Sequence, residues 1–316
     1  MDKVNIDWGI TTPRQQALAA EIAQLKKERD AVILAHCYQR PEVQAIADQV
    51  GDSFQLARWA QETKADVIVL AGVRFMAETA KILNPDKKVL LPEAEAGCPM
   101  ANMVDAEQLS AYLKEHPDTV VVSYVNTTAE VKALTDICCT SANARQVIES
   151  LPADREILFL PDRNLGSYIN NKIGSKMNLW EGHCPTHAKL KAADIEKARR
   201  NHPEAEVLVH PESAPEVVAA ADHALGTTGM VKHVGNSPVR EFIIGTEMGL
   251  VDRLKMLYPE KEFYLANPEL ICPNMKATTL SKIKNCLLNM EPEIDVPEPI
   301  MRDGRAALEK MMAIQG

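Results

Sequence analysis

Three cysteines in this sequence are each followed by proline, and they recur at nearly constant spacing. Cys98, Cys184 and Cys272 lie 86 and 88 positions apart. Three thiolates are what a cubane iron–sulfur cluster needs when one of its irons is left without a protein ligand. Such an open metal position can bind a substrate and act as a Lewis acid. We therefore predict a shared cluster, with zinc as the alternative, in which water, His183 or His187 would be the fourth ligand.

A second set of polar residues stands at the ends of three apolar, strand-like runs. His36, Tyr124 and His210 end the runs AVILAH, VVVSY and EVLVH, and they lie 88 and 86 positions apart. Side chains at such positions can hydrogen-bond a substrate or transfer protons. The candidates are His36, Tyr38, Tyr124, Asn126, His210 and Glu212, of which Glu212 is the candidate base.

Three hydroxyl residues form a third set with the same period. Ser53, Ser141 and Thr228 lie 88 and 87 positions apart, each a helix length after one of the strand-like runs. Backbone N–H groups and the helix dipole favour anions at helix starts, so a carboxylate or a phosphate would fit there. Serine and threonine are also ordinary N-caps. Their recurrence in three places predicts a substrate with several anionic groups.

The elements that must position these residues are strands alternating with helices. Apolar runs such as ADVIVLAGV and REFIIGTE alternate with amphipathic segments such as AEQLSAYLKEH and MGLVDRLKMLY. This pattern is typical of βαβ units around parallel sheets, and ligands bind beyond the carboxyl ends of such strands. We predict an α/β fold of three pseudo-equivalent three-layer αβα repeats around a pseudo-threefold axis. The predicted units are residues 1–101, 102–188 and 189–284, followed by a C-terminal segment and helix at 285–316.

Composition excludes several classes of protein. The net charge of −9 and the absence of a basic block argue against nucleic-acid binding, and no apolar run approaches the length of a membrane span. Residues 1–9 lack the features of a signal peptide, so we expect a cytoplasmic protein. Seven cysteines without an export signal favour metal or redox chemistry over a disulfide framework. Cys37, Cys138, Cys139 and Cys286 do not recur in every repeat, which is typical of buried cysteines.

The sequence resembles the quinolinate synthase family over nearly its whole length. The resemblance is carried by the stretches AHCYQRPEVQAIAD, GDSFQLAR, GVRFMAETAKILNP, EAGCPMA, YVNTTAEVKA, CTSAN, PDRNLG, GHCPTH, HPES, GTTGM, IGTEMG and CPNMK. Two local departures are Cys37 between His36 and Tyr38, and Ser213 where the family often has cysteine. Neither departure removes a matched site residue.

The resemblance implies a [4Fe-4S] cluster held by Cys98, Cys184 and Cys272. It also implies condensation of iminoaspartate with dihydroxyacetone phosphate to quinolinate, with loss of phosphate and water, in NAD biosynthesis. The L-aspartate oxidase that supplies iminoaspartate would be a partner. The residues implied in binding and catalysis are His36, Tyr38, Ser53, Tyr124, Asn126, Ser141, His210, Glu212 and Thr228, with Glu212, Tyr38, His210 and Tyr124 as the catalytic group. A zinc hydrolase or lyase, and a redox sensor that carries a cluster without catalysis, remain the alternatives.

Overall fold

The computed structural model describes residues 9–152 and 154–314 and contains three four-stranded parallel sheets. The N-terminal segment on which the expectation of a cytoplasmic location rests lies almost wholly outside these residues. By its contacts, the chain divides into two compact units. One comprises residues 1–98 with 272–301, and the other comprises residues 99–271 with 302–316.

The first unit contains the first sheet. Helix α1 (Pro13–Glu28) leads into β1 (Ala31–His36), α2 (Pro41–Ile46), β2 (Gln49–Gly51), α3 (Ser53–Glu62), β3 (Val67–Ala71), α4 (Arg74–Leu83) and β4 (Lys88–Leu90), and the unit also holds α13 (Leu280–Asn289). Thr12 caps α1 and Asp52 caps α3, each forming a capping box with a glutamine three residues on. The core joins Ile22 of α1 and Ile33 of β1 to Ile283 of α13. The predicted boundary at residue 284 therefore falls inside a helix that packs on the first sheet.

The second unit contains the other two sheets. The middle repeat runs α5 (Ala106–Glu115), β5 (Val120–Tyr124), α6 (Ala129–Lys132), β6 (Ile137–Cys139), α7 (Ala144–Glu149), β7 (Ile157–Leu160), α8 (Arg163–Ile173) and β8 (Asn178–Leu179). The last repeat runs α9 (Ala192–Asn201), β9 (Glu206–Val209), α10 (Pro215–Ala220), β10 (His223–Ala224), α11 (Thr227–Asn236), β11 (Glu241–Gly245), α12 (Met248–Leu257) and β12 (Glu262–Leu265). Helix α14 (Glu298–Ala313) ends the chain, and Asn143 binds the carbonyl of Met311 near its end.

The three sheets share one strand order, which confirms the predicted three αβα repeats. Each reads second, first, third, fourth strand, and every pairing is parallel. A further repeated device was missed from the sequence. Asp48, Asp136 and Asp222 each accept a hydrogen bond from a backbone N–H of the first strand of their sheet, at 2.7–2.8 Å. These carboxylates lie 88 and 86 positions apart. Each stabilises the turn that leads into the second strand of its sheet.

Candidate functional site

The predicted site residues of the first unit lie where its strands end or its helices begin. His36 is the last residue of β1 and is buried, and its Nδ1 accepts a hydrogen bond from the backbone N–H of Tyr38 at 3.1 Å. The two rings meet edge to face at 4.6 Å. Ser53 is the first residue of α3, directly after the capping Asp52. Its backbone N–H thus belongs to the set that a helix start leaves for an anion.

The loops that carry Cys98 and Cys272 are joined within this unit. Asn274 donates from Nδ2 to the carbonyl of Gly97 at 2.8 Å, which links the two Cys-Pro segments. Lys276 donates from Nζ to the carbonyl of Tyr38, and Arg40 donates from Nε to the carbonyl of Lys276 at 2.7 Å. The segment after Cys272 is therefore fastened both to the Cys98 loop and to the loop after β1.

Glu212 is the centre of a buried polar cluster in the second unit. Tyr124, at the end of β5, donates its hydroxyl to Glu212 Oε1 at 2.5 Å, and His187 Nδ1 lies 2.9 Å from Glu212 Oε2. His187 Nε2 lies 2.8 Å from the hydroxyl of Thr246, and its ring stacks on that of His210 at 4.8 Å. Two repeats thus supply one chain of hydrogen-bonding groups around a single carboxylate.

Burial and neighbouring groups shift the pKa values in this cluster. Burial pushes the pKa of Glu212 upward, but the imidazoles of His210 and His187 and the hydrogen bonds from His187 and Tyr124 outweigh it, so the pKa lies below its ordinary value. Burial, with a smaller contribution from His187, lowers the pKa of His210 to about 4, against the attraction of Glu212. At neutral pH the arrangement is an ionised carboxylate beside a neutral His210.

Asp162 is a second buried acid next to this cluster. Burial and the charge of Glu212 raise its pKa well above the ordinary value, despite backbone hydrogen bonds from Leu165 and Asn164. Asn164, which follows it at the start of α8, donates to the carbonyl of Glu212 at 3.0 Å. The raised pKa favours the neutral form of Asp162, and a neutral carboxyl group beside Glu212 avoids like-charge repulsion.

The remaining candidates of this unit lie after a strand, at a helix start and in a turn. Asn126 follows β5, and its buried Oδ1 has no hydrogen-bond partner among the described residues. Thr228 is the second residue of α11, so its position at a helix start agrees with the sequence pattern. Ser141 differs, because α7 begins at Ala144 and Ser141 lies in the turn before it. Within this turn the Asn143 side chain accepts a hydrogen bond from the backbone N–H of Thr140 at 2.8 Å. A Cβ added to Gly226, which caps α11, would lie 2.8 Å from the Ser141 hydroxyl.

The three Cys-Pro cysteines differ from the other four in exposure. Cys98, Cys184 and Cys272 are half-buried in loops after the last strand of each sheet, whereas Cys37, Cys138, Cys139 and Cys286 are buried. Burial raises the pKa of Cys138 and of Cys286 to about 12, which keeps these thiols protonated. Cysteines that bind a metal must be reachable, so Cys98, Cys184 and Cys272 are the candidate metal ligands among the cysteines and the buried four are not.

Cys184 also belongs to a possible mixed-ligand site. Its Sγ, a ring nitrogen of His187 and a carboxylate oxygen of Glu212 all lie within 4.8 Å of one another. Zinc is coordinated in proteins by cysteine sulfur, histidine nitrogen and carboxylate oxygen. The sequence named His187 only as a possible zinc ligand, and its role beside Glu212 was missed. The only available signal was its spacing, three residues after Cys184 in GHCPTH.

The fold and site define an α/β protein of three repeats, with a buried acid–base cluster in one unit and reachable loop cysteines in both. Residues 20–313 match the family model described as quinolinate synthetase A protein. The chain belongs to this family, which confirms the resemblance found in the sequence.

Curated relatives match along almost their whole length. A quinolinate synthase of Desulforudis audaxviator is 53% identical over 94% of this chain and 98% of its own. A quinolinate synthase of Geobacter metallireducens is 52% identical, over 93% and 96% of the two chains. The quinolinate synthase 2 of Methanosarcina acetivorans is 51% identical, over 95% and 96%.

Proposed function

We propose that this protein is an enzyme that makes quinolinate, as the names of its relatives say of them, and that this quinolinate serves NAD biosynthesis. The substrates would be iminoaspartate and dihydroxyacetone phosphate, condensed with loss of phosphate and water. The observation that carries the proposal is the buried chain Tyr124–Glu212–His187, which ends beside Cys184. A carboxylate held ionised between a hydroxyl and an imidazole is suited to the repeated proton transfers that imine and enamine steps need.

The proton-transfer roles follow from which atoms already touch. Glu212 would take a proton from the substrate carbon or nitrogen and return it at a later step, with Tyr124 donating a hydrogen bond to Oε1 throughout. His187 holds Oε2 in place and is itself held by Thr246. His210, neutral because of its lowered pKa, would donate a hydrogen bond rather than a proton. Tyr38 would assist from the first unit, as the family resemblance implies.

The anion-binding roles fall to residues at helix starts and turns. Ser53 and Thr228 lie in the first turns of α3 and α11, where backbone N–H groups and the helix dipole favour carboxylate or phosphate. Ser141, Asn126 and His36 would add hydrogen bonds. The buried Asn126 Oδ1 can accept one from an N–H or O–H of the substrate.

Cys98, Cys184 and Cys272 would hold a [4Fe-4S] cluster, since they are the three reachable cysteines at matching places of the repeats. When bound, such a cluster supplies one iron that can act as a Lewis acid toward a substrate oxygen or nitrogen. The L-aspartate oxidase that makes iminoaspartate is the proposed upstream partner. No helix among residues 9–152 and 154–314 is long and apolar enough to cross a membrane, and the cytoplasmic location stays a prediction.

The test is an anaerobic assay combined with metal analysis. Protein purified without oxygen should contain iron and sulfide and should form quinolinate from dihydroxyacetone phosphate, oxaloacetate and ammonia. Cys184→Ala should lose the iron, the sulfide and the activity together. Cys138→Ala is the matched control, because this buried thiol should matter for neither.

Two results would contradict the proposal. Stoichiometric zinc without sulfide would point to the zinc alternative that the Cys184, His187 and Glu212 donors permit. A cluster-loaded protein that forms no quinolinate would favour a sensor.

A further inference from the structure

A second cluster of metal-ligand residues lies in the last repeat, apart from the residues discussed above. Glu206 Oε1 lies 2.9 Å from His223 Nε2, and Glu206 Oε2 lies 3.0 Å from His233 Nε2. The two imidazole rings are 4.4 Å apart, and one ligand atom from each of the three residues lies within 4.8 Å of the others. We call Glu206, His223 and His233 the amino-end cluster.

The fold places this cluster at the opposite end of the sheet from Glu212. Glu206 is the first residue of β9 and His210 follows its last residue, so the two ends are about 13 Å apart at roughly 3.3 Å per residue. His223 opens the neighbouring β10, and His233 lies in the last turn of α11, which returns toward the same edge. Three different elements therefore bring their side chains together at one place.

Contacts with neighbouring residues hold these side chains in place. Ser237 donates from Oγ to Glu206 Oε2 at 3.4 Å, and the ring of Phe242 meets that of His233 edge on. Asp222, next to His223, is engaged by Arg199 at 2.9 Å, and Lys261 donates to the carbonyls of Val234 and Ser237 at the end of α11. Both nearby cations thus have other oxygen partners, while each imidazole Nε2 faces the Glu206 carboxylate.

We propose that the amino-end cluster binds one Zn²⁺ ion through His223 Nε2, His233 Nε2 and a carboxylate oxygen of Glu206. Two imidazoles and a carboxylate are a common set of three protein ligands for zinc, and imidazole disfavours Mg²⁺ and Ca²⁺. Metal–ligand bonds of about 2.0–2.1 Å in a tetrahedron put ligand atoms roughly 3.4 Å apart. The observed nitrogen–oxygen distances of 2.9 and 3.0 Å are to different oxygens of Glu206, so one imidazole must also move toward the oxygen that binds the ion. One ligand atom from each residue already lies within 4.8 Å of the other two.

Because the cluster is partly exposed, an ion can reach it from solvent and water can serve as the fourth ligand. The side chains of His223 and His233 are 41% and 26% exposed, so water can complete the coordination. A bound ion would tie β9, β10 and α11 together. Because it binds the folded state, it should raise the melting temperature as its concentration increases.

The experiment is a titration of untagged, full-length, cluster-loaded protein with Zn²⁺ in the presence of a competing chelator. We expect one equivalent to bind, and His223→Ala and His233→Ala each to weaken binding by at least about tenfold, since losing even an outer-shell partner costs that much. His116→Ala is the matched control, because this exposed histidine also sits beside a carboxylate, Glu156, at 3.8 Å. It should leave zinc affinity and the zinc-dependent rise in melting temperature unchanged.

Cobalt separates this site from one that uses Cys184. Co²⁺ bound by two histidines and a carboxylate gives ligand-field absorption without a thiolate-to-cobalt charge-transfer band. The difference between the spectra with and without Co²⁺, which removes the cluster's own absorption, should be the same in Cys184→Ala. A charge-transfer band that appears only when Co²⁺ is added and is missing in Cys184→Ala would place the ion at the cysteine instead. Zinc binding that survives both histidine substitutions, or a wild-type protein that binds no zinc, would overturn the proposal.

Discussion

The two ends of strand β9 carry the same residue types in different surroundings. At the carboxyl end, Glu212 contacts His187 and lies near His210, with side-chain exposures of 6%, 2% and 4%; at the amino end, Glu206 contacts His223 and His233, with exposures of 20%, 41% and 26%. Both carboxylates have lowered pKa values, although burial pushes each upward. The two clusters therefore differ mainly in how far their side chains are buried, and we expect this difference to separate their chemical roles.

Water screens charges at the amino end, so its histidines and carboxylate remain exchangeable ligands. At the carboxyl end each group depends on its neighbours for solvation, because a buried charge is stable only when it is paired and hydrogen-bonded. This dependence sets which groups carry a proton before the substrate binds, and proton transfer starts from that state. The same dependence makes the carboxyl end the more sensitive of the two to substitution.

The largest expected effect is on catalysis at the carboxyl end. Glu212→Gln keeps the shape but replaces one accepting oxygen by an NH₂ donor and removes the base, so the rate of quinolinate formation should fall by about 10²- to 10⁴-fold. Iron and sulfide content should be unchanged, which separates proton transfer from cluster binding. Glu156→Gln, at an exposed carboxylate beside His116, is the control. A Glu212→Gln protein with near-normal turnover would show that the buried carboxylate is not the base.

The next effect is a pH dependence of stability that only the buried end should show. The pKa of His210 falls from 6.5 to about 4 on folding, so the unfolded chain binds the proton more readily. The contribution of His210 to the free energy of unfolding is therefore fully present above pH 6.5. It decreases as the pH falls toward 4, by up to about 3 kcal/mol. Urea unfolding between pH 7 and 5 should show this slope in the wild type and a smaller one in His210→Asn.

Two comparisons make that measurement specific to His210. Asp162, whose raised pKa acts in the opposite direction, is present in both proteins, so the difference between their slopes isolates the histidine. The lowered pKa of Glu212 acts only below its ordinary value of 4.5, outside the measured range. His116→Asn, at an exposed position, should leave the slope unchanged. Equal slopes in the wild type and His210→Asn would show that His210 is solvated in the folded protein.

The sequence predicted the strands better than it predicted the contacts between their ends. Apolar runs with a period near 88 revealed three repeats because burial between helix layers imposes the same pattern on each sheet. Glu212 and Tyr124 could be found because each stands at or just beyond a strand end. His187 could not be placed, because its loop after β8 is positioned by tertiary contacts, among them the one with Thr246. Asp48 and its two counterparts share the period, but aspartate in a turn is too ordinary to be noticed.

The smallest effect is expected at the amino end without metal. Glu206→Gln removes the carboxylate that contacts two partly exposed histidines. Partly exposed polar pairs of this kind contribute about 0–1 kcal/mol, so urea unfolding with a chelator present should change the free energy of unfolding by no more than that. With excess Zn²⁺ the wild type should gain stability and Glu206→Gln should gain less, because an amide is a poorer zinc ligand than a carboxylate. A loss above about 2 kcal/mol without metal would mean that the amino-end cluster is solvated no better than Glu212. The two ends of β9 would then differ in what they bind and not in how well water solvates their side chains.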